Sequence, residues 1–489
     1  MVRIPGETAH QETNLPHSIQ KHAFVACITA ALLTACTGLG PAKEEARAHD
    51  ARTDYVNAPA NAVFNALADS STPTQRWTGV LGTAPYRIEV PENWNGRLVL
   101  YAHGYAGDGK TLTVQDPQFR RFLIDNGYAW AASAYSKNHY DVRSGVEDTN
   151  ALALAFNEIA ERNGRRLARP SKTYIYGRSM GGHIAAAAVE QETLASARNK
   201  FAYDGAFPTC GVLDDDQLWA YFGAYQLAAQ QLAGVPAASL PVSNWAQISG
   251  YVRTVHFNSA TSFATPTAQG QMLKSIVRNL TGGARPIFDE GFANEALQGV
   301  VWGTFGGDGT LGGILAANVV DTRGVRYNFE APEGVVAAFN SAIGKSTPAP
   351  DANRPRRDGL RWIPKVNAEF GVPVLTMHTL GDMYVPFSQE QSHYQRAQAK
   401  GNGARLVQRA IRSPGHCDFT VAELSRGFSD LVRWVEQGSK PVGDDTFTPS
   451  IIAHPAYGCA FTNNTLVADD TPGVKTIRAP GRLPACPAS

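Results

Sequence analysis

Residues 173–190 read TYIYGRSMGGHIAAAAVE, a short β-branched and aromatic run that passes through a glycine-flanked serine into an alanine-rich run. The first half favours strand and the second helix, so the chain must turn from one to the other within a residue or two of Ser179. So tight a turn needs positive φ or close backbone approach, which Gly177, Gly181 and Gly182 permit for want of a Cβ. With 46 glycines in 489 residues, the pentapeptide GRSMG is not rare by itself. Its place between strand and helix is what gives it weight.

The flanking sequence repeats that alternation. Residues 86–90 (YRIEV) alternate as a half-exposed strand should, and 97–102 (RLVLYA) form a nearly continuous apolar run of the buried kind. The spacing predicts a helix over 119–124 that stops at Asn126 and Gly127, and a strand over 128–135. It then predicts a helix capped by Asp148 and running through Leu152, Leu154 and Phe156. A strand over 201–207 follows the helix after Ser179, but the next convincing one begins only at Pro373. A crossover needs only about a dozen residues, so the stretch between is largely an inserted domain, with helical pieces such as 217–225 (QLWAYFGAY). The sheet resumes with 405–411, and Leu424, Phe428, Leu431 and Val435 then follow the helical period. Strand and helix in alternation predict an α/β fold, a mostly parallel central sheet with helices on both faces.

A formal charge of +1, from 44 basic and 43 acidic residues without long runs of either, gives nucleic acid nothing to bind by charge. The formal GxGxxG within 306–313 (GGDGTLGG) has no strand leading into it and reads as a loop, not a dinucleotide site. No cofactor and no metal is expected. At the N-terminus, Lys21 and His22 precede the apolar run 23–35, too short to span a membrane as a mature helix. This reads as a signal peptide. Its end, LTAC at 33–36, resembles the bacterial lipobox, which makes Cys36 the lipidated first residue of an exported, surface or periplasmic lipoprotein held to the membrane only by that anchor. Four further cysteines, Cys210, Cys417, Cys459 and Cys486, suit two disulfides, for which three connectivities exist.

A serine hydroxyl attacks well only when an imidazole takes its proton, and the imidazole needs a carboxylate to fix its tautomer. Asp382 lies on a glycine-marked loop just past the strand at 373–378, and His416 in the loop (SPGHCD, 413–418) between the last strand and last helix. Asp214, Asp215 and Asp216 read as a solvated turn or helix start, and His393 as a residue on the solvated face of a polar helix, 389–400. His256 and His378 precede the acid and fall out of order. Donors for a developing oxyanion would be the backbone N–H groups of Met180 and Tyr105, the latter in the loop HGYAG after the strand at 97–102.

The motifs YAHGY, GRSMGG, GDMYVP and GHC, in that order, resemble the oxyanion loop, nucleophile, acid and base of the α/β-hydrolase superfamily over about 80–211 and 365–440. The resemblance implies a serine carboxylesterase with Ser179 as nucleophile, Asp382 as orienting acid and His416 as base. Within the superfamily the lipobox, the long insertion and the cysteine after the base resemble bacterial secreted carboxylesterases that hydrolyse polyesters such as polylactate. The feruloyl esterase and tannase group shares His-Cys at the base, but a cysteine there precedes the nucleophile, where this chain has Arg178. A serine peptidase or acyltransferase on the same scaffold is the rival among enzymes, and a non-catalytic surface-binding lipoprotein the rival outside them.

The resulting organisation is a signal peptide with lipobox (1–36), a tether (37–75), a first core segment (76–212), an inserted lid domain (213–362), a second core segment (363–440) and a C-terminal extension (441–489). Cys210 follows the strand beside the serine's own and Cys417 follows the base, so a 210 to 417 bridge and a 459 to 486 bridge are the expected pairing. The insertion leaves from the carboxyl edge of the sheet, where ligands bind in α/β folds. Several aromatics on one of its helices cannot all point inward, which makes Trp219 and Tyr225 candidate contacts for a small-molecule or polymeric ester.

Overall fold

Eight strands build the central sheet: β1 (Thr74–Leu81), β2 (Ala84–Pro91), β3 (Arg97–Ala102), β4 (Ala129–Ser133), β5 (Lys172–Arg178), β6 (Gly205–Thr209), β7 (Val374–Thr379) and β8 (Leu406–Ile411). Across the sheet they run in the order β8-β7-β6-β5-β3-β4-β2-β1. β2 alone is reversed, antiparallel to both β1 and β4, and every other neighbouring pair is parallel. The structure, a computed structural model, describes residues 54–259, 262–307, 318–355 and 360–487. The expected leader, Cys36, the first part of the tether and most of the glycine cluster at 306–313 lie outside the described residues.

The alternation of side chains along the strands feeds two layers. Val99, Tyr101, Tyr174, Tyr176, Phe207, Leu375 and Met377 pack against Phe119, Leu424, Phe428 and Leu431. On the opposite face Leu98, Leu100, Ile175 and Ala206 meet Leu152, Phe156, Ile159 and Ala185. The Val421–Gln437 helix is fixed at its start by a capping box between Thr420 and Glu423, and at its end by Gly438 at φ 71°.

Several local expectations are corrected. β2 is not half-exposed: it is paired on both edges, and even Glu89 is buried, held by Arg120 (Nε to Oε2, 2.6 Å) and by the Trp130 indole N–H (2.8 Å). Asp148 caps nothing. The helix starts nearly two turns earlier, Val142–Arg162, with Asp141 accepting the N–H of Ser144, while Asp148 is drawn inward to accept the N–H of Ser136 at 2.6 Å. Burial pushes its carboxyl up to about 6. The second half of the tether is part of the fold: Val56–Asn57 pairs with Thr111–Leu112, and the buried Asn61 donates to the Leu112 carbonyl and accepts from Val114 N–H. His393 is fully buried against Phe370 rather than solvated, which pulls its pKa down to about 4. Of the three acidic residues, Asp214 caps the Asp215–Leu232 helix, Asp215 is buried against Lys365 at 3.0 Å, and only Asp216 faces solvent.

The insertion contributes the helices Asp215–Leu232, Trp245–His256, Ala268–Leu280, Phe288–Phe292, Glu295–Gly303 and Glu333–Ala342. Tyr225, Phe257, Phe292, Trp302 and Phe305 form its interior, continuous with Ala102, Met180 and Ile184 of the sheet's carboxyl end. The C-terminal extension also packs on the core: Arg478 bridges Glu423 (3.0 Å) and the Asp418 carbonyl (2.9 Å).

Candidate active site

The turn after β5 puts Ser179 at φ 60° and ψ −124°, with its N–H donating to the Thr209 carbonyl of β6 at 3.0 Å. A non-glycine residue held there costs about 1–3 kcal/mol, which the surrounding packing must outweigh. The glycines are required by contact: a Cβ on Gly177 would lie 1.8 Å from the Gly181 carbonyl oxygen, and one on Gly181 would lie 1.9 Å from that of Ala102. The result is a serine at the carboxyl end of the central strand, at the mouth of the Met180–Ala188 helix.

His416 and Asp382 reach it from the ends of β8 and β7. Ser179 Oγ is 2.8 Å from His416 Nε2, and His416 Nδ1 is 2.5 Å from Asp382 Oδ2. Asp382 is wholly buried, and its other oxygen accepts the N–H groups of Tyr384 (2.9 Å) and Val385 (3.0 Å). The carboxylate can only accept, so Nδ1 carries hydrogen and Nε2 is left with the lone pair that accepts from the serine hydroxyl. The arrangement can therefore withdraw the Ser179 proton while Asp382 stabilises the imidazolium.

The structure brings the backbones of the loop after β3 and the turn at Ser179 together. A Cβ on Gly104 would meet Ser179 Cβ at 3.1 Å, so the loop carrying Tyr105 lies against the serine, and Met180 is the first residue of a helix whose leading N–H groups lack intrahelical acceptors. Behind the loop, His103 stacks on Tyr135 at 4.1 Å, and the Tyr135 hydroxyl donates to the His103 carbonyl at 2.9 Å. Cys210 and Cys417 are joined, as are Cys459 and Cys486. As a disulfide, the two sulfurs beside His416 offer a metal no thiolate.

Trp219 and Tyr225 are not placed as acyl contacts. Tyr225 is fully buried, its hydroxyl between Gln298 and Trp302, both at 3.2 Å. Trp219 packs edge-on against Tyr140 at 5.6 Å and lines, with Asp215, Pro348 and Arg361, a cavity of about 450 Å³. Both belong to the interior because their helix packs on the sheet's end and on neighbouring insertion helices at once. Beside His416 stands instead Tyr384, edge-on at 5.6 Å, with Phe222 5.7 Å from Tyr384. Tyr384 is two residues past the acid, so proximity in sequence is a usable signal for it. Arg285 has none: it comes from the insertion and donates to the Leu380 carbonyl at 2.6 Å, next to the Asp382 turn.

No family model matches the chain. It is similar to an o-phthalyl amidase of Xanthobacter agilis, 22% identical over 403 residues, which span 73% of this chain and 86% of the relative. Among solved structures it is similar to feruloyl esterase B from Aspergillus oryzae (TM-score 0.39, 15% identity, 76% of this chain and 82% of that one). It is also similar to another esterase from Aspergillus oryzae (TM-score 0.41, 13%, 75% and 81%) and to the cell-wall-degrading esterase LipA of Xanthomonas oryzae (TM-score 0.33, 15%, 73% and 88%). The sheet order with β2 alone reversed, and the positive-φ serine between β5 and its helix, give the chain the α/β-hydrolase fold.

Proposed function

We propose that the protein is a serine-dependent carboxylic ester hydrolase in which Ser179, His416 and Asp382 act as nucleophile, general base and orienting acid. The observation that carries this is the unbroken row from Ser179 Oγ through both nitrogens of His416 to Asp382, at 2.8 and 2.5 Å. Ser179 Oγ attacks the ester carbonyl carbon and passes its proton to His416 Nε2. The N–H groups of Met180 and Tyr105 receive the negative oxygen. His416 then protonates the departing alkoxide, leaving an acyl-Ser179 ester. Water, deprotonated by the same nitrogen, releases the acid and restores the serine.

The substrate class is hydrophobic or oligomeric esters, polyesters such as polylactate included, with the insertion acting as a lid. Support comes from its departure after β6, its return before β7, and Phe222 standing one ring from Tyr384 over the base. A neutral overall balance suits uncharged substrates. The leader and the motif ending at Cys36 favour an exported, lipid-anchored enzyme. The amidase relative makes carboxamides the second class to assay.

The test measures short-chain nitrophenyl esters, emulsified polylactate, aryl carboxamides and neutral peptides with wild type and Ser179→Ala, alongside fluorophosphonate labelling. Turnover and labelling should both vanish in Ser179→Ala while the fold is kept. Activity retained by that variant refutes the mechanism, and efficient peptide cleavage with negligible ester hydrolysis overturns the substrate class.

A further inference from the structure

Beside Asp382 lies a second buried pair. His378 on β7 is fully buried, and its Nε2 faces the Val385 carbonyl at 2.7 Å. A carbonyl has no hydrogen to give, so Nε2 carries one. The same nitrogen is 3.7 Å from Asp382 Oδ2, the oxygen that accepts from His416. On the other edge of the ring, Nδ1 faces Glu390 Oε1 at 3.5 Å, and neither atom has a hydrogen-bond partner among the described residues. Glu390 Oε2 is already an acceptor, taking the Thr376 hydroxyl at 2.6 Å and the Gln408 amide.

Without a proton between them, an imidazole lone pair would confront a carboxylate oxygen in a dry interior, each group unsatisfied and desolvated. With Oε2 and Nε2 both committed, the only place for a proton that relieves this is the line from Nδ1 to Oε1. We propose that His378 and Glu390 hold one proton between them beside Asp382, and that this pair moderates the pull of Asp382 on His416. The inference rests on the reading of His416 as the catalytic base. His378 is a positioning residue: it touches no reacting atom and acts through the carboxylate that does. Burial by itself lowers the pKa of His378, but the Glu390 hydrogen bond and the charges of Glu390 and Asp382 outweigh it and raise it.

The other titratable groups around the pair do not supply that proton. Arg285, lowered to about 9 by burial, is spent on the Leu380 carbonyl, and Asp418, two residues past His416, is raised to about 6 by burial. The phenols of Tyr221, Tyr384 and Tyr457 are pushed up by burial and stay protonated, and His393, on the helix of Glu390, is pulled down to about 4 and stays neutral. A positive His378 near Oδ2 offsets part of the field that the Asp382 carboxylate exerts on the His416 ring.

The experiment reads His416 directly, by NMR titration of its ring resonances in the free protein, and in parallel by the acid limb of kcat/KM on a nitrophenyl ester. His378→Gln keeps the hydrogen bond to Val385 and removes the proton-sharing nitrogen; Glu390→Gln is isosteric and removes the other partner. Each should raise the His416 midpoint by about half a pH unit or more, a roughly threefold loss of kcat/KM on the acid side. The double variant should shift no further than the larger single one, since the two residues act as one unit. If His378→Gln fails to melt cooperatively, Glu390→Gln decides alone. An unchanged or lowered midpoint in either folded variant overturns the proposal, as do additive shifts; a residue that only supports the fold would cost rate or melting temperature without moving the midpoint. A shifted NMR midpoint with an unmoved acid limb upholds the pair and instead removes His416 as the base.

Discussion

The Cys210–Cys417 bridge spans 207 residues and the Cys459–Cys486 bridge 27. A cross-link stabilises by the freedom it removes from the unfolded chain, which grows with the logarithm of the loop: about 5.4 kcal/mol for the longer loop and about 3.5 kcal/mol for the shorter. The difference, about 2 kcal/mol, depends only on the ratio of the two lengths. Burial adds to it, because Cys210 and Cys417 are fully buried while Cys459 is half-buried and Cys486 exposed, so alanine replacement leaves the larger void at the first pair. The first bridge also holds the residue after His416, and both its cysteines sit at positive φ, 44° and 64°. Two variants separate these effects, one with Cys210→Ala and Cys417→Ala, the other with Cys459→Ala and Cys486→Ala. Urea titration should find the first less stable than the second by at least about 2 kcal/mol. Nitrophenyl ester turnover should fall about 10- to 100-fold in the first alone, because a base displaced by about an ångström no longer reaches the serine. Equal losses of stability, or a fall in turnover shared by both, would refute the reasoning.

Gly104→Ala places a Cβ 3.1 Å from Ser179 Cβ and 3.2 Å from the Arg178 carbonyl, so the Tyr105 loop must back away. We expect kcat to fall about 10- to 100-fold with little change in melting temperature, and an unaltered kcat would remove that loop from the oxyanion site. Asp148 has a carboxyl raised to about 6, so its contribution to stability is complete below the unfolded value near 3.8 and is lost as pH rises through 6. Asp148→Asn keeps an acceptor for the Ser136 N–H but does not titrate. Between pH 4 and 7 the stability of wild type relative to this variant should fall by about 2–3 kcal/mol in urea titrations, and a constant difference would contradict the assignment.

What the amino-acid sequence determined by itself is local and ordered along the chain. Gly177, Gly181 and Gly182 announce a turn that only glycines allow, and the contacts at 1.8 and 1.9 Å give the reason. The strands at 97–102 and 373–378 announce themselves by apolar runs, and Ser179, Asp382 and His416 stand out because each follows a strand in a fixed succession. None of this needs knowledge of what lies across the fold. Only the tertiary structure decided matters that depend on a partner remote in the chain. Asp148 reads as a cap until Ser136 draws it inward, and His393 reads as solvated until Phe370 covers it. Trp219 and Tyr225 read as candidate contacts for an ester until the insertion's other helices close over them. His378 is excluded by chain order, and only its packing against Glu390 and Asp382 gives it a role. The physical reason is the same each time: propensity and period act over a few residues, whereas burial, which sets protonation state and strips polar groups of water, is a property of separate segments meeting in one interior.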